Sequence, residues 1–199
     1  MHDQECRYSG GGIQVRASGD GSPGTASGYA ALYNVETVIG GWWREQIAPG
    51  AFAGALESGA DVRALWNHDT GAVLGRTVSG TLALASDAKG LRYDIALPPT
   101  QLGQDVKALI QRGDVTGSSF GFRVIDEEVD SEPTKRGLLP LVTITAVELY
   151  EVSPVTFPAY EETSVSMRRR SKVQEGTDRA AAIAVRHRIR TRIRLEAMR

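Results

Sequence analysis

Between Tyr29 and Phe157 the apolar residues alternate with polar ones in short runs, and Gly, Asp or Pro ends each run. Alternation sends every second side chain to one face, which is the pattern of half-buried strands. "DVRALW", "TLALAS", "GLRYDIAL", "SSFGFRVIDEEV" and "LPLVTITAVELYEVSPVTF" all read this way, and the turn from Asp87 to Gly90 joins the second and third into a hairpin. "YAALYNVETVIGGWW" is read as a strand, a turn at Gly40-Gly41 and a continuation.

Helical spacing is confined to two places in this body. "APGAFAGALESG" sets Phe52, Ala55 and Leu56 behind Pro49, with Gly59 as a stop. "QLGQDVKALIQRG" carries the apolar stripe Leu102, Val106, Leu109 and Ile110, closed by Gly113. Six or more strands against two short helices, without βαβ alternation, predict a mainly β, α+β protein: an antiparallel barrel or sandwich decorated by helices.

The 199 residues, 41% of them hydrophobic, suffice for one domain with a core of its own. Residues 1–27, rich in Gly and Ser, are expected to be disordered, residues 28–166 to form the folded domain, and residues 167–199 a basic tail. The tail's Ala, Arg and Leu content favours helix, whereas the strict alternation of Arg186, Arg188, Arg190, Arg192 and Arg194 is strand-like. From Arg168 onward 11 basic residues face three acidic ones, a net +8, and the remainder carries −9. Such a tail could bind nucleic acid or an acidic partner, or fold back on the body.

No apolar run reaches the roughly 20 residues needed to span a bilayer. Met1-His2-Asp3-Gln4-Glu5 lacks the regions of a secretory signal, so a cytoplasmic, non-secreted protein without membrane contact is expected. The lone cysteine, Cys6, excludes an internal disulfide, and a catalytic thiol in its glycine-rich surroundings is not expected.

Three histidines limit the chemistry. His2 falls in the N-terminal segment and His187 among arginines, which leaves His68 in "LWNHDTG". One histidine with Asp69 and scattered acids is poor company for a metal, so no metal or cofactor is expected. His68 is either a strand-end histidine bonded to a turn or a general base. A base needs a nucleophile, and Ser119 in "GDVTGSSFGFRVI" leaves its strand opposite Phe120 and Phe122, between Gly117 and Gly121. Close packing of two strands would also explain so small a residue. "GSSFG" lacks the strand–turn–helix setting and the downstream histidine of a hydrolase elbow. For a carboxylate to orient His68, Glu151 is preferred, read as extending the apolar face of Val147 and Leu149, with Glu148 second.

"GYAALYNV", "IAPGAFAGAL", "VRALWNHD" with "VLGRT", "GLRYDIAL", "LIQRGDVTGSSFGFRV" and "LYEVSPVTFPAYEETSV", in this order, resemble the prohead serine proteases of tailed bacteriophages, relatives of the herpesvirus assembly proteases. The resemblance implies His68 as base, Ser119 as nucleophile and Glu151 as the acid. It also implies an endopeptidase that works inside the assembling procapsid in the host cytoplasm and cleaves scaffold or the major capsid protein, or both, and itself. By analogy with the herpesvirus enzymes it implies a β-barrel ringed by helices and a homodimer. The basic tail then becomes a scaffold- or capsid-binding segment, with nucleic acid disfavoured because the tail lacks aromatics for stacking. A non-catalytic capsid- or scaffold-binding module of the same fold is the alternative.

Overall fold

The computed structural model describes residues 5–19, 22–39, 41, 43–130 and 138–157. The expected basic tail, 167–199, lies outside the described residues. Among the described residues, eleven strands and two helices follow in the order β1 (Glu5–Ser9), β2 (Ile13–Arg16), β3 (Thr25–Leu32), β4 (Thr37–Ile39), β5 (Trp43–Ile47), α1 (Ala53–Glu57), β6 (Arg63–Trp66), β7 (Asp69–Arg76), β8 (Leu82–Ser86), β9 (Gly90–Ala96), α2 (Gln101–Arg112), β10 (Gly117–Asp130) and β11 (Leu141–Val155). The mainly β reading holds, and each strand and helix read from the alternation between residues 53 and 155 forms where it was expected.

Two sheets share the core. The larger runs β1-β10-β11-β5-β4, with β6 joined to β11 and β7, and the smaller runs β2-β3-β9-β8. The expected closed barrel ringed by helices is not what forms among the described residues. Both sheets stay open, and two helices are too few to surround them. Nor is the pairing wholly antiparallel: β11 pairs in parallel with β5 near residues 141–144 and with β6 at Glu151 and Val152. A 15-residue strand is long enough to serve different partners at its two ends.

The disorder expected for residues 1–27 is likewise corrected where that segment is described. β1 pairs with the outer edge of β10, and β2 and the start of β3 build the smaller sheet. Composition argued against a core of their own, but these strands need none, because their backbones complete the hydrogen-bond ladders of strands that already have one.

An aromatic stack anchors the interior. Phe52 meets Phe120 edge-on with centroids 5.5 Å apart, and Phe120 stacks on Phe122 at 4.7 Å. Each buried ring is worth about 1.5–3 kcal/mol of transfer free energy. Ser118, on the same face of β10, is also buried, and its hydroxyl pairs with Tyr93 Oη at 2.7 Å.

α2 starts on Thr100, whose hydroxyl accepts from the Gly103 amide, and stops at Gly113 in the left-handed region at φ 81°. Its buried stripe is Gly103, Val106 and Ile110. Gly103 is there for space: a Cβ would stand 2.0 Å from the Pro98 carbonyl oxygen. Replacing a helical glycine by alanine normally gains up to about 1 kcal/mol. Here the backbone clash outweighs that gain, so Gly103→Ala should destabilise the protein by about 1–3 kcal/mol, the usual range for overpacking, as read by a lower urea midpoint at unchanged slope. A raised midpoint would refute the close approach.

Candidate active site

β6 and β7 form a hairpin with Trp66 opposite Asp69, so Asn67 and His68 are its two-residue loop. Both adopt positive φ, 52° and 63°. A two-residue loop of the type whose twist matches the flanking strands requires this at both positions, and Asn and His tolerate it better than most residues. The loop is tied to the end of β11: the Asn67 amide donates to the Pro154 carbonyl, and Asn67 Oδ1 accepts from the Thr156 amide. The His68 amide donates to Ser153 Oγ at 3.3 Å.

Opposite the hairpin, the β10–β11 ladder decides which side chains face His68. Ser119 pairs with Ser153 and Gly121 with Glu151, but Phe122 pairs with Leu149, so Tyr150 is an extra residue in a bulge. Paired residues share a face. Leu149 therefore joins Phe122 on the core side, while Glu151 joins Ser119 and Ser153 on the other. The expectation that Glu151 extends the Val147–Leu149 face is corrected here: strict alternation fails at Tyr150, and the bulge turns Glu151 over.

The result is a chain of hydrogen bonds. His68 Nδ1 donates to Glu151 Oε1 at 2.6 Å, and Ser153 Oγ donates to Glu151 Oε2 at 2.6 Å. Glu151 and Ser153 are buried, so both carboxylate oxygens are satisfied inside the protein. Glu148, the second candidate, is held elsewhere: it is exposed and accepts from Arg123 and Tyr150. Ser119 is 3% exposed, and its Oγ donates to the Arg7 carbonyl at 2.8 Å.

Cys6 belongs to this constellation. It pairs with Gly121 across the β1–β10 ladder, which puts it on the Ser119 face, and its Sγ stands 3.8 Å from His68 Nδ1. Cys6, His68 and Glu151 offer ligand atoms within 4.8 Å of one another, a sulfur, nitrogen and oxygen set suited to zinc. In space His68 thus has a thiol and a carboxylate for neighbours. Nδ1 is already committed to Glu151, so an ion there would have to take that hydrogen bond's place.

Sequence reasoning also missed Ser153, although its place two residues after Glu151 on a strand would have put it on the same face. It missed Cys6 because residues 1–27 were read as unstructured. An open groove lined by Arg16, Tyr29, Lys89 and Arg92 shares no residue with the His68 cluster.

Burial works against a charge on His68, but its hydrogen bonds to Cys6 and Glu151 and the carboxylate's negative charge outweigh that and push it up to about 10. A histidine raised in the fold stabilises it fully below its unfolded value, near 6.5, and that contribution is lost as pH rises towards 10. Imidazole NMR should therefore show His68 charged at pH 7.5, with its midpoint falling towards the ordinary value in Glu151→Gln. An unchanged midpoint in that variant would mean that the carboxylate does not set the charge of the ring.

A strand-borne serine on the same sheet face as the carboxylate of a His–Glu pair has the residue types used in acyl transfer, and comparison with known proteins leads to the same class. The family described as "Caudovirus prohead serine protease" matches residues 12–178, and the chain belongs to that family. Among its relatives, the protein named "Prohead protease" of Enterobacteria phage HK97 is 34% identical over 155 residues, 77% of this chain. The chain spans 64% of that relative's length. No solved structure matches.

Proposed function

We propose that this chain is a serine endopeptidase of phage head maturation, with Ser119 as nucleophile, His68 as general base and Glu151 as the acid that orients it. The observation that carries the reading is the 2.6 Å bond from His68 Nδ1 to buried Glu151, made on the face of the sheet that Ser119 shares. With Nδ1–H committed to the carboxylate, the neutral ring carries its lone pair on Nε2, the form needed to accept a serine proton. Ser153 holds the second carboxylate oxygen, and the tie from its hydroxyl to the His68 amide links the acid to the hairpin.

In this mechanism His68 takes the Ser119 proton as Oγ bonds to the carbonyl carbon of the scissile peptide. It then returns the proton to the departing amine, and water hydrolyses the acyl-enzyme. Glu151 supports the imidazolium throughout. The substrates are scaffold, the major capsid protein and the chain itself, within the procapsid. A homodimer and a capsid- or scaffold-binding role for the basic tail rest on the resemblance and on the tail's +8 charge.

Co-expression with capsid and scaffold polypeptides tests the assignment. Ser119→Ala and His68→Ala should each abolish processing, at least about 1,000-fold, whereas Glu151→Gln should leave a measurable remnant, since the orienting acid contributes less than nucleophile or base. Processing that survives Ser119→Ala would leave a binding module of the same fold as the better account.

A raised histidine also places the acidic limb of kcat/KM above pH 6.5, because the ring must lose its proton before it can take one from Ser119. The rate should rise with pH through 7 and 8. A rate already flat at pH 6 would show that the working enzyme does not keep the His68 charge seen in this arrangement.

A further inference from the structure

β1 lies along the free edge of β10 in the manner of an added peptide strand, from Glu5 opposite Phe122 to Ser9 opposite Ser118. Its register is informative. Ser119 Oγ donates to the Arg7 carbonyl oxygen at 2.8 Å. With a C=O length of about 1.23 Å, the carbonyl carbon is at most about 4 Å from the hydroxyl, close to the reach for attack. One residue earlier, Cys6 touches His68. One residue later, the Tyr8 ring lies on Gly117, where a Cβ would come within 2.2 Å of Cε2.

The Arg7 side chain fills a prepared place. Its Nε donates to Glu45 Oε1 at 2.5 Å and its Nη2 to Glu45 Oε2 at 3.0 Å, a two-pronged pair with a carboxylate only 3% exposed. The guanidinium also sits 5.4 Å from the centre of the Phe122 ring and bonds to Glu5 Oε2 at 2.6 Å. A buried carboxylate calls for a counter-charge. Arginine supplies it with a planar fork matched to both oxygens, whereas lysine supplies a single point of charge.

We propose that β1 is seated as a substrate strand, that Glu45 and Phe122 form the subsite selecting arginine at the residue whose carbonyl is attacked, and that Arg7–Tyr8 is a bond the enzyme cuts in itself. This rests on the assignment of Ser119 as nucleophile. The Ser119 Oγ–Arg7 carbon bond forms while His68 takes the Oγ proton. The Arg7–Tyr8 C–N bond breaks with that proton passing to the Tyr8 amine. Water then cleaves the ester and releases residues 1–7. Until β1 leaves, it occupies the edge that another chain would use.

The test uses the full-length protein and blocked peptides containing Glu-Cys-Arg-Tyr-Ser, with the arginine kept or replaced by Lys, Ala or Glu. Mass spectrometry should show cleavage after arginine, with kcat/KM at least 100-fold above the Ala peptide, Lys between them and no cleavage of the Glu peptide. The purified chain should lose residues 1–7, and both Ser119→Ala and Arg7→Glu should retain them. Glu45→Gln should raise KM for the Arg peptide at least tenfold with a smaller change in kcat, and shrink the preference for the Arg peptide over the Ala peptide. If Glu45→Gln fails to fold, the wild-type peptide series decides alone. Ser119-dependent processing of capsid or scaffold polypeptide without preference for arginine, or with residues 1–7 retained, would overturn the subsite while leaving the protease assignment intact. Absence of any Ser119-dependent cleavage would sink both.

Discussion

The pairing of β10 with β11 is the interaction on which the rest of the molecule depends. It joins the buried first half of β10, residues 117–122, to the buried end of β11, residues 151–155, and its register decides what reaches the surface beside Ser119. A single extra residue, Tyr150, makes that register work. Without the bulge, alternation would carry Glu151 to the side of Leu149 and Phe122, and its carboxylate would point into an aromatic core away from its partners His68 and Ser153. With it, the core keeps Leu149 and Val152, and the outer face receives Glu151 and Ser153 together.

The histidine is delivered from another part of the chain under a different constraint. A two-residue hairpin loop holds Asn67 and His68 at positive φ, a conformation that persists only when its surroundings hold it. Here the surroundings are β11 itself, which takes the Asn67 and His68 amides, while Glu151 takes the ring. One strand thus fixes the loop's backbone and its side chain at once. The negative partner stabilises the charged ring, which favours the resting arrangement over proton acceptance, and β1 reinforces that state by bringing Cys6 against the same nitrogen. Closing the β10 edge and adding to the stability of the charged histidine both follow from the same strand being in place.

Much of this was legible from residue pattern. Period-two alternation marks β10 and β11, and the Leu102–Ile110 stripe marks α2, because side-chain direction follows backbone period regardless of partners. Parity also separated the serines: Ser118 turns inward to Tyr93, and Ser119 outward. Glu151 was chosen from a parity argument that the bulge invalidates, since alternation extrapolated across Tyr150 assumes an unbroken ladder. Residues 5–16 were misread for a related reason. Gly- and Ser-rich composition speaks to whether a segment can bury its own side chains, and says nothing about a strand whose stability comes from another strand's open edge. The barrel failed because closure depends on how sheet edges meet, which no local period encodes.

By itself, then, the order of residues determined the type of each main element, the inward and outward faces within each unbroken strand, and the small set of groups able to exchange a proton near neutral pH. These follow from local backbone geometry and intrinsic chemistry. Only the tertiary structure decided that Glu151 shares a face with Ser119, that His68 meets that carboxylate across 83 residues of chain, and that Arg7, whose carbonyl oxygen accepts from Ser119, pairs through its side chain with Glu45. Those facts depend on register and on hydrogen-bond ladders between distant segments, and a register is a property of two strands together.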